Sequence, residues 1–506
     1  MTTIANATSR AAGRWRTLNL AWTAFFLTFV VWFNLAPFKS TIGKQLGLTE
    51  AQLAVLLICN VALTIPARIA VGALVDRFGP RRVYTWLLVT ATVPCVGCAL
   101  AQEYWQLVIC RLLVSCVGAG FVVGIRLVGE WFASDEIGLA EGVYGGLGNF
   151  GMAAATFALP LLAGAFGGDN GWRWAMAASG LACAAYAAVF HRFARDVPAG
   201  AAFRKPKAKG ALEVCTRGDL LSLVFMQIPL VACLGVLVWR LEKVGLIAPA
   251  AGYVVYAVLA VVLAWQVRKI VRANAPAMRN DAAAVPDDER YSFAQVAILC
   301  VCYAVTFGGE LAVESMLPAH FEKMFGVSVS VAGAMGAGFA VASLVARPLG
   351  GLLGDRVGRR PIMIVSLAGS AVGFAAIALI DAHWPLWAAM AVVIGAGFFL
   401  MAGNGANFCI APLIRKPLTG QIAGLIGAYG NVGSVAFLFI LSIGGVGPFF
   451  VSMIAVSVAA FACCFLIREP SATPAVATTR ETATDALTPA PASAPAPIGG
   501  LLPEAV

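Results

Sequence analysis

Charged residues are scarce in this chain. Only 12% of the 506 residues are Asp, Glu, Lys or Arg, while 60% are hydrophobic and the mean hydropathy is +0.86. Soluble domains carry about 25% charged residues, which excludes a soluble fold. Unpaired backbone groups are costly in lipid, so only helices or closed barrels cross a membrane. The apolar runs are too long for barrel strands of about ten alternating residues. The sequence therefore predicts an all-α polytopic membrane protein.

The chain also has few of the residues that bind metals or carry out catalysis. Its three histidines, at 191, 320 and 383, lie near the ends of apolar runs and form no metal cluster. The 13 cysteines fall mostly inside those runs, where a thiol behaves as a small hydrophobe. Cys95 and Cys98 have metal-like spacing but no second pair nearby. No nucleophile with an adjacent base is visible, so we expect no enzyme, no metal site and no cofactor.

The net charge of +10 does not indicate a nucleic-acid partner, because the basic residues lie at the ends of apolar runs and form no stripe beside aromatic residues. Instead, most of the 35 lysines and arginines fall in joints on one side of the predicted membrane, the side that the cytoplasm retains. We therefore expect a multi-pass protein of the cytoplasmic (inner) membrane with both termini in the cytoplasm.

The apolar runs number fourteen, arranged as six, two and six. Each is long enough for a hydrocarbon core that needs about 20 residues per helix. The runs lie near residues 18–38, 51–74, 83–101, 106–128, 138–165 and 173–192; 219–239 and 248–268; and 292–318, 328–353, 361–380, 386–411, 420–444 and 447–467.

This order predicts four regions. Residues 1–195 form an N-terminal six-helix bundle, and residues 196–290 form a basic linker with an inserted transmembrane hairpin. Residues 291–468 form a C-terminal six-helix bundle. Residues 469–506 are rich in Ala, Thr and Pro and are expected to be a disordered cytoplasmic tail.

A repeated joint relates the two bundles. GALVDRFGPRRV follows the second run and GGLLGDRVGRRP follows the eighth, so that Asp76 and Asp355 lie 279 residues apart. These Asp-Arg joints resemble the signature loop of the major facilitator superfamily. The resemblance implies two parallel bundles with a substrate site between them near the midplane. We expect Asp76, Arg77, Asp355 and Arg356 to act as conformational switch loops.

An arginine stands eight residues before each of these aspartates, Arg68 in the second run and Arg347 in the eighth. An arginine near the bilayer core costs about 2.5 kcal/mol or more, and such residues usually face a partner or a watery cavity. Two at equivalent positions would converge on the central axis, where planar guanidinium groups suit a planar oxyanion. The alternative is that each arginine is paired structurally with a carboxylate or with carbonyl groups.

The fifth and eleventh runs share a glycine repeat that suits close, sliding contact between helices. Static small-residue packing is the alternative for the glycines. The asparagine after the third glycine of each set, Asn149 or Asn431, is a polar amide that requires a partner such as an anion. The repeated glycines are Gly142, Gly145, Gly148 and Gly151, which correspond to Gly424, Gly427, Gly430 and Gly433.

These residues resemble the nitrate/nitrite porter family of the major facilitator superfamily. The matching stretches are AWTAFFLTFVVWFNLAPF, GAGFVVGIRLVGEWF, GVYGGLGNFGMA, YAVTFGGELAVESMLP and GLIGAYGNVGS. The resemblance implies that Arg68 and Arg347 clamp the anion with Asn149 beside it. It also implies that Phe121, Tyr303 and Phe307 form the walls of the site and that the glycines from Gly424 to Gly433 border it.

The inserted runs within residues 219–268 depart from the twelve-helix pattern of that family. A peripheral hairpin or an oligomer contact is the expected role.

Energy coupling is left open by the sequence. A univalent anion entering against an inside-negative potential loses about 2.3 kcal/mol per 100 mV, so uptake needs protons or an exchanged anion. Glu310 and Glu314 follow Tyr303 on one helical stripe, which makes them candidates for proton coupling. Alternatively they neutralise Arg126 or lie near the outer mouth. Arg126 and Glu130 are four residues apart, which favours an intrahelical pair.

The sequence thus predicts a secondary active transporter that moves nitrate or nitrite across the bilayer, by nitrate/nitrite exchange or by proton symport. A carrier of another small anion, such as an organic carboxylate, is one alternative. A nitrate sensor without transport activity is the other.

Overall fold

A computed structural model describes residues 2–206, 211–279, 290–327, 331, 338–339 and 341–469. Within these ranges the regular elements are all helices. Thirteen helical stretches among them are long and apolar enough to cross a membrane. The remaining predicted run, 328–353, overlaps residues outside the described ranges, and its described end is a helix. Of the predicted disordered tail, residues 470–506 lie outside the described residues, and a carboxyl oxygen of Glu469 accepts a 2.9 Å hydrogen bond from the backbone N–H of Arg360.

The N-terminal helices are interrupted at two places that matter for the site. The second span is built from two helices that meet at Leu63, and the fourth span contains a 3-10 turn at Cys116–Ala119. The helices are α1 (Thr2–Trp32), α2 (Lys39–Gln45), α3 (Glu50–Ala62), α4 (Thr64–Phe78), α5 (Pro80–Leu100), α6 (Tyr104–Ser115), α7 (Gly120–Trp131), α8 (Ile137–Phe166) and α9 (Gly171–Phe193).

The inserted segment forms α10 (Arg217–Phe225), α11 (Gln227–Lys243) and α12 (Pro249–Arg279). It is followed by α13 (Phe293–Phe325), α14 (Ser343–Val357), α15 (Arg359–Ala378), α16 (Leu386–Ile414), α17 (Thr419–Gly444) and α18 (Val446–Cys464).

The inserted hairpin packs against α17. The Tyr429 hydroxyl of α17 donates a 2.8 Å hydrogen bond to the carbonyl oxygen of Met226, next to α11. The rings of Trp239 and Phe439 meet edge to face with centroids 5.6 Å apart. The hairpin also contacts α3 of the N-terminal bundle, so it lies against both bundles.

The first glycine of each repeat lies where the two bundles cross, whereas the last two glycines of each repeat face α1 or α13 within their own bundle. A Cβ atom at Gly142 of α8 would lie 2.5 Å from the carbonyl oxygen of Arg347 on α14. A Cβ atom at Gly424 of α17 would lie 2.5 Å from the carbonyl oxygen of Arg68 on α4. Real Cβ atoms do not approach other atoms this closely, so only glycine allows these backbone contacts. Each glycine helix thus lies against the arginine helix of the opposite bundle.

The switch-loop aspartates hold one end of these crossings closed. The backbone N–H of Gly420 donates a 2.9 Å hydrogen bond to Oδ1 of Asp76, and that of Gly138 donates a 3.0 Å bond to Oδ1 of Asp355. The second oxygen of each carboxyl accepts from the next backbone amide. Each aspartate therefore caps the first turn of a helix from the opposite bundle, where the helix dipole favours negative charge.

We expect Gly142→Leu to open this end of the protein, because the added side chain overlaps the backbone of α14. Overpacking costs about 1–3 kcal/mol, which separation of the helices relieves. The distance between two spectroscopic labels, attached at the exposed positions Arg82 and Val357, should increase. Gly164→Leu is the matched control on α8, since its Cβ atom would meet nothing within 4 Å. An unchanged distance in the Gly142 variant would contradict the assigned role of this crossing.

Candidate anion-binding site

Arg68 is a buried cation that forms no ion pair within the described part of the chain. Its side chain is 0% exposed. Nε donates a 3.2 Å hydrogen bond to the carbonyl oxygen of Gly118, and Nη1 donates a 2.5 Å bond to that of Gly427. Nη2 has no partner. The Gly118 carbonyl belongs to the 3-10 turn of the fourth span, so this turn supplies a neutral ligand but leaves the positive charge uncompensated.

Arg347 is paired with a carboxylate. Its Nη2 lies 2.9 Å from Oε1 and 2.7 Å from Oε2 of Glu310, and both side chains are buried. The structural alternative therefore holds in both its forms: Arg347 is paired with a carboxylate, and Arg68 is bound by two carbonyl oxygens. Only the carboxylate neutralises its arginine. Together the two arginines and Glu310 carry one net positive charge.

Glu310 is held by amide groups from two further helices. Asn149 Nδ2 on α8 donates a 2.8 Å hydrogen bond to Oε1, and Asn404 Nδ2 on α16 donates a 2.5 Å bond to Oε2. Every one of these partners is a donor, which matches an ionised carboxylate, a group that accepts at both oxygens and donates at neither. The amide oxygens of Asn149 and Asn404 are buried without partners. Asn149 thus reaches the site, but its described contact is with Glu310.

Aromatic rings from both bundles line the two guanidinium groups. The Arg68 Cζ atom lies 5.0 Å from the Phe307 ring centroid, and the Arg347 Cζ atom lies 5.9 Å from it. Tyr303 stacks on Phe307 at 5.0 Å, and Phe121 of α7 lies parallel to Tyr303 at 6.3 Å. The site is therefore flat-walled and cationic, with the Phe307 ring within 6 Å of both guanidinium carbons.

Phe408 is an additional member of this cluster. Its ring meets Phe121 edge to face at 4.6 Å and Tyr303 at 4.7 Å. The sequence analysis missed Phe408 and Asn404. Both lie on α16 in the stretch GNGANF, where two asparagines interrupt an apolar run, and that interruption is the signal that could have revealed them.

The C-terminal glycine helix borders Arg68. A Cβ atom at Gly427 would lie 3.1 Å from Cδ of Arg68, so glycine leaves room for the guanidinium group. Asn431 is buried, and its Nδ2 donates a 3.3 Å hydrogen bond to the Gly427 carbonyl oxygen, which also accepts from Arg68. The structure thus brings both residues to the Arg68 side of the site.

Glu314 lies one helical turn beyond Glu310. Neither of its carboxyl oxygens has a hydrogen-bond partner among the residues that the structure describes. Glu310 and Glu314 do not neutralise Arg126, because Arg126 lies 3.0 Å from Asp76 and 2.6 Å from Glu130. The expected intrahelical pair of Arg126 and Glu130 is therefore confirmed.

Asp76 and Asp355 do not pair with Arg77 and Arg356, the arginines that follow them directly in the repeated joints. Arg77 and Arg356 are exposed. Asp76 pairs instead with Arg126 of α7, and Asp355 lies 3.4 Å from Arg359 of α15. Arg359 also donates to the carbonyl oxygen of Ser134 in the opposite bundle. Arg126 and Arg359, which the sequence analysis did not place here, thus complete the closure of this end.

Comparison with known proteins supports a single family. The family model described as Major Facilitator Superfamily matches residues 21–278 and 299–502. The solved structure of the proton:xylose symporter XylE superposes with a TM-score of 0.61 at 14% identity, covering 92% of this chain and 98% of that one. This likeness confirms the major facilitator fold.

Two curated relatives are much closer in sequence. The nitrate/nitrite transporter NrtP of Nostoc punctiforme is 45% identical over 465 residues, which cover 90% of this chain and 93% of the relative. NrtP of Picosynechococcus is 40% identical over 500 residues, with the same two coverages. Both relatives are transporters by name, which agrees with the expectation that the chain is not an enzyme. The chain belongs to the nitrate/nitrite porter family of the major facilitator superfamily.

Proposed function

We propose that the protein is a secondary active transporter of nitrate and nitrite that works by alternating access across the cytoplasmic membrane. The observation that carries the proposal is the guanidinium group of Arg68, which has no carboxylate partner among the described residues and lies beside the Phe307 ring, as Arg347 does. A buried arginine cannot lose its proton, so the neutralising partner must be an anion.

The geometry favours a small, flat anion over a bulkier one. Tyr303 and Phe307 stack with an interplanar angle of 2°, and Phe121 is within 5° of parallel to Tyr303. Nitrate and nitrite are planar and can accept parallel hydrogen bonds from a guanidinium fork. An organic carboxylate would have to place its carbon chain among these closely spaced rings. The names of the curated relatives support the same substrates.

The transport step follows from the crossed helices. Each bundle contributes one arginine helix and one glycine helix, and each glycine helix contacts the other bundle's arginine helix. Rocking of the bundles breaks the Asp76 and Asp355 caps and opens the end that the structure holds closed. We assign this end to the cytoplasm, with both termini on that side, because the basic joints lie there.

Glu310 acts as a fixed counter-ion in this scheme. It neutralises Arg347 through two hydrogen bonds and leaves Arg68 to the transported anion. Nitrate/nitrite exchange follows directly, because the negative charge of an anion that leaves has to be replaced before the cationic site can close, and a second anion supplies that charge. A proton-carrying role for Glu310 or Glu314 stays a prediction. The unpartnered Glu314 suits that role better than Glu310, whose oxygens are fully occupied.

Replacement of either arginine by lysine should weaken nitrate binding and abolish uptake. Lysine keeps the charge but loses the planar fork. Loss of one charge-assisted hydrogen bond of about 1.5–3 kcal/mol corresponds to a binding constant about 10- to 150-fold weaker. Nitrate uptake into proteoliposomes and a binding titration test Arg68→Lys and Arg347→Lys, with the exposed Arg192→Lys as control. Uptake retained in both site variants would refute the two-arginine site.

Glu310→Gln should make the protein less stable and more dependent on nitrate. Breaking a buried ion pair costs about 3–5 kcal/mol, since Arg347 loses its counter-ion. An anion that binds the native state restores stability, so nitrate should raise the melting temperature more in this variant than in the wild type. Thermal unfolding with and without nitrate measures the effect, with the exposed Glu322→Gln as control. Equal nitrate-induced shifts would show that Arg347 does not contact the anion.

A further inference from the structure

Glu141 is a second buried carboxyl group at the crossing of the bundles, apart from the Glu310 cluster. It lies on α8 between Gly138 and Gly145 and is 3% exposed. Neither carboxyl oxygen has a hydrogen-bond partner in the described part of the chain. A buried carboxylate without hydrogen bonds or a counter-ion is strongly disfavoured, so this environment holds the neutral acid.

The charged groups around Glu141 are already paired. Arg347 on α14 is bound to Glu310, and Asp355 on the same helix is bound to Arg359 and to two backbone amides. Thus no described cation at the contact between α8 and α14 is available to form an ion pair with Glu141. The uncharged titratable groups on this side are Tyr144 on α8, Tyr84 on α5, which lies 3.3 Å from Tyr144, and Cys409 on α16, which is within electrostatic range of Glu141.

The pseudo-symmetric position shows that packing does not require an acid here. The glycine repeats correspond with a separation of 282 residues, which relates Glu141 to Ala423 on α17. Ala423 is fully buried at the equivalent crossing with α4. A methyl group therefore satisfies the structural role in one bundle, while the other bundle places a titratable group in the same contact.

Glu141 is also close to the anion site. It lies one helical turn, about 6 Å along the axis, from Gly145. A Cβ atom at Gly145 would lie 3.6 Å from Nη1 of Arg347 and 3.9 Å from the Phe121 ring. The carboxyl group therefore stands between the cationic site and the end that the Asp76 and Asp355 caps close.

We propose that Glu141 is a proton-binding site that couples nitrate uptake to proton entry, an inference that rests on the proposed nitrate transport. With nitrate bound, the positive charge of Arg68 is balanced, and the seam between α8 and α14 closes over a neutral Glu141. When this end opens to water, nitrate leaves and Glu141 releases its proton to the same side. The carrier without nitrate then closes with an ionised Glu141, which balances the charge that nitrate had balanced. One proton enters with each nitrate.

Exchange does not use the ionised form of Glu141, because the site is neutralised by an anion in both directions. Glu141→Gln should therefore separate two activities in proteoliposomes. Nitrate/nitrite exchange at equal pH, with nitrite inside, should be retained. Nitrate accumulation driven by an inwardly directed proton gradient, acidic outside, with no anion inside to exchange, should be lost. Glu141→Asp should restore gradient-driven accumulation in part, and the exposed Glu322→Gln should behave as wild type in both assays.

Several results would overturn the assignment. The first is gradient-driven nitrate accumulation by Glu141→Gln at the wild-type rate. The second is loss of gradient-driven accumulation in Glu314→Gln while Glu141→Gln still accumulates nitrate. The third is loss of nitrate/nitrite exchange in a Glu141→Gln protein that still binds nitrate. If Glu141→Gln fails to fold, Glu141→Ala, which copies the buried Ala423, takes its place. Wild-type protein that exchanges the anions but ignores the pH gradient would refute proton coupling and leave the proposed function standing. Wild-type protein inactive in both assays would refute the proposed function itself.

Discussion

A positive charge that cannot be titrated away, buried in an apolar bundle, is the constraint on which the rest of this structure depends. Arg68 is fully buried, and its described protein ligands are two carbonyl oxygens. Carbonyl dipoles solvate a guanidinium group but do not neutralise it. Arg347 does have a counter-ion, Glu310, so the anion site has one surplus positive charge rather than two. This asymmetry is the basis for proposing a univalent solute, because one univalent anion would make the site neutral.

The symmetry of the backbone and the asymmetry of the charges have different roles. The glycine crossings at Gly142 and Gly424 are nearly equivalent, and so are the Asp76 and Asp355 caps, which gives two matching contact surfaces for a rocking motion. The ionisable groups break this equivalence. Glu310 binds Asn149 of α8 across the two bundles, and Glu141 is buried on the same helix, whereas the repeat places Ala423 at the position equivalent to Glu141. The proposed rocking motion thus uses two equivalent contact surfaces. Its free energy depends on which negative group neutralises the anion site.

The sequence predicted most of the fold because the signals are local or repeated. Apolar runs and basic joints predict helices and their order, and the equal spacing of Arg68 from Arg347 and of Asp76 from Asp355 relates the bundles. The pairing of side chains between distant helices was not predictable in this way. Glu310 lies 37 residues from Arg347, 161 from Asn149 and 94 from Asn404, and no periodicity links these positions. Arg126 was assigned to Glu130 from their spacing, but its contact with Asp76 depends on how α4 and α7 pack.

The central claim is that a planar anion binds between Arg68 and Arg347 against the face of Phe307. A high-resolution structure of the protein with nitrate bound in a lipid environment tests it most directly. The account predicts planar density that accepts a hydrogen bond from the Nη2 atom of Arg68 and contacts Arg347, with Glu310 still bound to Arg347. Nitrate bound elsewhere, with Arg68 neutralised by a protein carboxylate, would contradict it.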